Sequence, residues 1–435
     1  MHELATIAEP TPAVNYTQAS SGLSGRQLRA VVVDEELPFP PNSGKRIRTL
    51  NLITRLARRH YVTLVCHRNA DPREAKDAAE FLADHGIASV VADRSAPPKS
   101  GLPFAGRLAA NLLSPLPYSV ASHASPELRQ AMRYVAASGA VDLWQCEGTT
   151  SAEMLRFVPG PRIVHTQNVE ATIWRRYLEN EHSPLRRWYI KGQWQKFRRY
   201  ERQVLRGADH VVAVSQSDAM VFRDDYGVRR VDVVENGVDT AYFRPAEDVV
   251  RRPKRLLFLG SLDWRPNQDA VEQLLNVVFP AVRAREPQAE LAIVGRNPSA
   301  ALRIKIASQP GVELHPDVAD VRPYLASAGL LVVPLRVGGG SRIKILEALA
   351  SGLAVISTRV GAEGLDLEPE HHLTVVDTIA ELIPAIAEGM RQPSATVEQA
   401  RRGRQAVIAR HDWDQIAARL ERVWTELLRD GRAAA

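Results

Sequence analysis

The chain has almost no cysteine: Cys66 and Cys146 are the two in 435 residues, and they stand far apart with no paired spacing. That excludes a disulfide framework and a cysteine-ligated zinc site, fits a reducing cytoplasm, and leaves both thiols as small apolar core residues. Long hydrophobic runs are missing too. The first 27 residues hold neither a secretory apolar segment nor one long enough to cross a bilayer, so residues 1–27 are expected to be a loose tail and the protein to be cytoplasmic. No zinc-finger spacing, aromatic ribonucleoprotein motif or basic zipper occurs, so no nucleic-acid partner is expected. Walker A and GxGxxG sequences are absent, which sets aside P-loop phosphate binding and dehydrogenase chemistry. Without a convincing Asp-x-Asp motif, no metal is expected.

What is present is the composition of an ordinary globular protein, 45% hydrophobic and 24% charged. A net charge of +6 favours an acidic partner, whether nucleotide phosphates, a phospholipid surface or nucleic acid. The length suggests two domains. Short runs rich in Val, Ile and Leu alternate with helical patterns along the whole chain, the sequence form of parallel βαβ units and an α/β architecture. One series runs through LRAVVV (28–33), YVTLVC (61–66), ASVVA, VDLWQ, RIVHT and HVVAVS, and a second through RLLFLG (255–260), ELAIVG, VELHP, LLVVP, AVIST and LTVV. Between them VVENGVDTAYFRP (233–245) reads as a linker, with the Asn236-Gly237 turn signal and Pro245. The expected domains are 28–235, 236–410 and a terminal helix over 411–435. Asp412 and Gln415 form a candidate capping box there, ahead of an apolar stripe of Trp413, Ile416, Leu420, Trp424 and Leu427.

The most informative stretch is LLVVPLRVGGGSRIKILEALASG (330–352), in which an apolar strand passes through Gly338, Gly339 and Gly340 into a helix. A helix N-terminus offers unpaired N–H groups and positive dipole character, and glycines admit an anion close to the backbone, so Gly338–Gly340 with Ser341 suit a diphosphate. Arg342 and Lys344 add charge in the first turn. Glu347, three residues after Lys344, shares its side of the helix. The alternative is a flexible glycine loop with no ligand.

Taken together, PFPPNSGKRIRTLNL (38–52), HTQNVEATIWRR (165–176), the NGVD linker, FLGSLDWRPNQDAVE (258–272), GGGSRIKILEALASG, GAEGLD and HDW resemble the GT-B glycosyltransferases, specifically the retaining glycosyltransferase family 4 with its bacterial sugar transferases. The resemblance covers nearly the whole chain. It implies two Rossmann-like domains facing each other across a cleft, with the terminal helix crossing back onto the first. It further implies a nucleoside-diphosphate sugar held by the C-terminal domain and a glycan or lipid-linked acceptor held by the N-terminal domain. The implied reaction moves a hexosyl group to an acceptor hydroxyl with retention, without metal or added cofactor, in cell-surface polysaccharide or glycolipid synthesis. Rival readings are a sugar-nucleotide epimerase and a non-catalytic sugar-nucleotide-binding scaffold. In the family a helix carboxylate, here Glu347, bonds the donor ribose.

The departures are specific. The family's first glutamate falls on Gly339, its Gly-Arg after the first C-domain strand is Gly260-Ser261, and its following lysine is Pro266. Arg265, Arg342 and Lys344 are therefore the expected sources of positive charge at the diphosphate; for Arg265 the alternative is a solvated surface residue. In the N-terminal domain Gly44, after the first strand, could admit phosphates or simply begin a helix. Related sequences carry His where Gln167 stands, which leaves His165 as a catalytic candidate, and Glu147 past the VDLWQ strand is a second, as a base or as a merely capped carboxylate. Arg and Lys interleaved with aromatics over 174–206 suit docking on an anionic membrane surface at the inner face of the plasma membrane; the alternative is a helix whose aromatics pack inward.

Overall fold

A computed structural model describes residues 26–69, 71–93, 101–123, 125–337 and 342–433. Most of the expected tail, and Gly338, Gly339, Gly340 and Ser341, lie outside the described residues. The chain divides into two units, Met1–Val234 with Ile416–Ala435, and Glu235–Gln415.

The first unit is a parallel sheet of β1 (Arg29–Val33), β2 (Tyr61–His67), β3 (Ala88–Ala92), β4 (Leu143–Glu147), β5 (Arg162–His165), β6 (His210–Ala213) and β7 (Val231–Val233). Its spatial order is β3-β2-β1-β4-β5-β6-β7. Val31, Val32 and Val33 are buried, as a central parallel strand covered on both faces requires. The second unit holds β8 (Arg252–Leu259), β9 (Glu290–Gly295), β10 (Val312–Pro316), β11 (Ala328–Val333), β12 (Ala354–Thr358) and β13 (Thr374–Val376), ordered β10-β9-β8-β11-β12-β13. ASVVA, ELAIVG, VELHP and AVIST become strands residue for residue. The three-residue β7 sits at a sheet edge and is too short to leave a periodic signal.

Both sheets are Rossmann-like, and each reverses its strand order at one place, between β1 and β4 in the first and between β8 and β11 in the second. Ligands of open parallel sheets settle beyond the carboxyl ends of the strands at such a reversal. The chain is steered into these crossovers by helix caps: Ser43, Ser125, Ser215, Ser299 and Thr378 each accept the N–H three residues on.

The helix Trp413–Ala433 belongs from Ile416 onward to the first unit. Ile416, Leu420 and Trp424 are completely buried, Trp424 Nε1 donates to Gln145 Oε1 at 2.7 Å, and Glu421 accepts from Arg59 at 2.6 Å. Only half of the expected capping box forms. Asp412 accepts the Asp414 N–H at 2.9 Å, whereas Gln415 Nε2 turns to the Ile408 carbonyl at 3.3 Å.

Candidate active site

In the second unit the strand reversal is flanked by the helix Arg265–Gln273, which follows β8, and the helix Ile343–Ala350, which follows β11. The sequence pattern turns Ile343, Leu346 and Ala350 to the core; Ile345, Ala348 and Leu349 are buried as well, because the helix packs against both β12 and the helix Pro393–Arg410. Glu347 is consequently drawn inward. Its side chain makes no hydrogen bond among the described residues although the residue is only 7% exposed. Burial raises its carboxyl to about 7, against the pull of Lys344. Burial lowers the Lys344 ammonium to about 7, Arg342 adding to the effect and Glu347 opposing it. A buried carboxylate with no hydrogen-bond donor is costly, and such a group calls for an explanation.

Lys344 Nζ donates to Asn267 Oδ1 at 3.1 Å and lies 4.9 Å from the Phe258 ring centroid. The Arg342 guanidinium sits 5.9 Å from the ring of Trp264, the residue before the Arg265–Gln273 helix. Arg342, Lys344 and Glu347 thus share the carboxyl side of the reversal, while Arg265, exposed, opens the neighbouring helix. Gly260, just past β8, and Gly295, at the end of β9, touch so closely that a Cβ on Gly295 would overlap the Gly260 carbonyl.

In the first unit Glu147 and His165 end the adjacent strands β4 and β5, and both are wholly buried. His165 Nδ1 meets Glu147 Oε1 at 3.0 Å, and Arg48 Nε donates to His165 Nε2 at 3.1 Å. A guanidinium can only donate, so Nε2 is bare and Nδ1 carries the proton: His165 is neutral, in keeping with burial lowering its pKa. Burial alone would raise the Glu147 carboxyl, but His165, Arg48 and Gln145 outweigh it and hold the group below its ordinary value. Gln145 Nε2 reaches Glu147 Oε1 at 2.6 Å and Gln167 Nε2 reaches Oε2 at 3.1 Å. Every partner of Glu147 is internal. Through Oε2, Glu147 holds Gln167, which is partly exposed.

Gly44 is the first residue of the helix Gly44–Ala57, whose cap Ser43 accepts from Arg46 N at 3.3 Å, so it serves as a helix entry. The next residue does more. Lys45 Nζ binds Asp34 at 2.7 Å and Glu35 at 3.2 Å, and Glu35 also takes up Thr150 and, at 3.3 Å, His123. Burial raises Asp34 to about 7 despite Lys45. Asp34, Glu35, Lys45 and Arg48 were not singled out in the sequence. One signal could have found Arg48: it lies four residues before Leu52 on the face that also carries Leu56, a cation on an apolar stripe.

Over 174–206 the inward alternative holds for most of the aromatics. Phe197 and Tyr200 are buried with Trp174 and Trp194 packed beside them, and Trp174 stacks on Phe197 at 5.9 Å. Leu185 and Trp188 remain outside, 75% and 60% exposed, among Arg186, Arg187 and Lys191. Among the described residues one group has metal-ligand proximity, Glu368, His371 and His372, with ligand atoms within 4.8 Å of one another; it lies before edge strand β13, away from the β8–β11 reversal.

A family model described as Glycosyltransferase Family 4 matches residues 43–242, and one described as Glycosyl transferases group 1 matches residues 253–392. The chain is a glycosyltransferase of the family 4 and group 1 kind. The chain is 30% identical over 249 residues to the GDP-mannose-dependent alpha-(1-6)-phosphatidylinositol monomannoside mannosyltransferase of Mycobacterium tuberculosis, a match covering 50% of the chain and 63% of that relative. It is 27% identical over 227 residues to the GDP-mannose:cellobiosyl-diphosphopolyprenol alpha-mannosyltransferase of Xanthomonas campestris, covering 48% of the chain and 56% of the relative. The match spans less than two thirds of either relative's length. Among solved structures, sucrose-phosphate synthase from Thermosynechococcus elongatus superposes with a TM-score of 0.69 at 18% identity over 94% of this chain and all of that one. Anabaena HepE in complex with UDP superposes at 0.63 with 15% identity, over 92% of the chain and 100% of HepE. These likenesses establish the fold, GT-B.

Proposed function

We propose that the protein transfers a hexosyl group from a nucleoside-diphosphate sugar to an acceptor hydroxyl, with retention and without metal, in the synthesis of a cell-surface polysaccharide or glycolipid. The observation that carries this reading is Glu347, a buried carboxylate with no bonding partner among the described residues, one helical turn from a buried ammonium at a strand reversal. A ribose hydroxyl supplies the donor that Glu347 lacks. The diphosphate takes up the charge of Lys344 and Arg342 and the N–H groups at the start of the Ile343–Ala350 helix. As the bond from the anomeric carbon to the diphosphate oxygen breaks, negative charge grows on the leaving group, and preorganised cations there lower the barrier. The relatives named for GDP-mannose support a mannosyl donor.

The test is thermal unfolding with UDP- and GDP-sugars, followed by product analysis with and without acceptor. Ligand that binds only the folded state should raise Tm by an amount set by its concentration over its affinity. A shift with one sugar nucleotide and transfer from it is the expected result. Binding with neither transfer nor hydrolysis would establish the scaffold reading, which Gly339 in place of the family's first glutamate favours, and an acceptor-free conversion would establish an epimerase.

We further propose that the acceptor is lipid-linked and that the protein works at the cytoplasmic membrane surface. No helix among the described residues is long and apolar enough to cross a membrane. Leu185 and Trp188, flanked by arginines and a lysine, supply an apolar foot with cations, each worth about 1 kcal/mol near an anionic surface. The protein should co-sediment with vesicles containing anionic lipid at low salt, and Trp188→Ala with Leu185→Ala should release most of it. Equal sedimentation with neutral vesicles, or none with either, would end the proposal.

A further inference from the structure

The Lys344 ammonium is buried, yet among the described residues it has a single hydrogen bond, and that bond is to a neutral amide, Asn267 Oδ1 at 3.1 Å. Asn267 is itself only 3% exposed and occupies the first turn of the helix that follows β8, the other wall of the strand reversal. Its second amide atom, Nδ2, donates to the Ser261 carbonyl at 2.9 Å. A carbonyl accepts and an ammonium donates, so the two partners determine which way the amide points. Beneath the ammonium lies the Phe258 ring, 4.9 Å away. The space that both groups occupy exists because residue 260 is glycine: a Cβ there would stand 2.7 Å from Asn267 Nδ2 and 2.8 Å from Lys344 Nζ.

The ammonium is therefore carried from the helix after β11 across to the end of β8, over the backbone of Gly260, and gripped by an amide oxygen and an aromatic face. Of its three N–H groups one is used by the described residues. We propose that Asn267 is a positioning residue for the sugar-donor diphosphate, holding the Lys344 ammonium over Gly260 with its remaining N–H groups turned to phosphate oxygens. The proposal rests on the reading of this reversal as the sugar-nucleotide site and adds to it a residue that touches the lysine.

A neutral amide has a particular consequence. Asn267 stabilises the ammonium less than a carboxylate would, and burial lowers Lys344 to about 7, with Arg342 adding to the effect and Glu347 opposing it. Arg342 and Glu347 flank it on its own segment, and Asn267 and Phe258 face it from the helix and strand packed against it. In the ligand-free protein Lys344 loses its proton as pH rises through about 7, and a bound diphosphate restores it. Nucleotide affinity falls over the same range.

The experiment compares binding of UDP and GDP to the whole protein from pH 6 to 9 by titration calorimetry, with uridine and guanosine as phosphate-free controls. Wild type, Asn267→Asp and Asn267→Ser are used, all checked by circular dichroism. A carboxylate at position 267 should move the pH at which affinity falls upward by about one unit. Asn267→Ser should weaken nucleotide binding roughly tenfold at pH 6, with the nucleoside unaffected. Phosphate ionisation of the ligand is common to all three proteins and cancels in the comparison. If wild type binds neither diphosphate, the sugar-nucleotide reading itself fails. If wild type binds and both folded variants keep its affinity and its pH profile, Asn267 has no positioning role. Should Asn267→Ser unfold, the profile of the near-isosteric Asn267→Asp decides alone.

Discussion

Glu347→Gln should make the ligand-free protein more stable at pH 8 while removing most of its affinity for a sugar nucleotide. The two effects have one cause. Burial holds the Glu347 carboxyl at about 7, above its ordinary 4.5, so on raising the pH the unfolded chain gives up its proton first. The Glu347 contribution to wild-type stability therefore falls between pH 4.5 and about 7, and above that its full penalty, about 3 kcal/mol for that interval, is present. Glutamine has nothing to ionise and escapes it. The gain in Tm should be several degrees at pH 8 and vanish near pH 5, with Lys344 opposite trimming it. Against this, a hydrogen bond between a carboxylate and a ribose hydroxyl is worth about 1.5–3 kcal/mol, so the nucleotide should bind roughly 10- to 100-fold more weakly. Thermal scans at pH 5 and 8, with and without UDP and GDP, measure both. A variant that is destabilised at pH 8 and still binds nucleotide normally would remove Glu347 from the site.

The second large effect concerns Glu147. Its oxygens accept from His165, Gln145 and Gln167, and Arg48 stands behind His165. Glu147→Ala would leave these donors facing a void. Removing one partner of such a cluster costs about 3–5 kcal/mol, and urea denaturation should show a loss of that size. Glu147→Gln should also be destabilising, by about 1–3 kcal/mol, since its amide N–H would confront one of the existing donors. A catalytic base would behave otherwise: the glutamine variant would keep its stability and lose kcat alone. Folded Glu147 sits below its ordinary pKa, so the stability it contributes is present above about pH 4.5 and is lost as the pH falls through the lowered value.

The fold was legible because parallel strands buried on both faces are written as uninterrupted apolar runs, and those runs survive any detail of packing. The second unit's site was partly legible for a related reason: glycines between a strand and a helix, then Arg342, Lys344 and Glu347, are neighbours in the chain. The first unit's polar cluster joins residues more than a hundred positions apart, as Arg48 and His165 are, and no local pattern reports that. His165 and Glu147 were visible as polar residues at strand ends, but the sequence does not say that their partners close over them. Asn267 was hidden beside Pro266, which drew notice only as the place of the family's missing lysine.

The first unit is built from two stretches of chain, and its last helix is synthesised only after the whole of the second unit. Until then Gln145 has no Trp424 indole to bond and His60 and Arg59 have no Glu421. A chain that stopped before Ile416 would hold the whole of the second unit, continuous from Glu235 to Gln415, and lack the segment that completes the first.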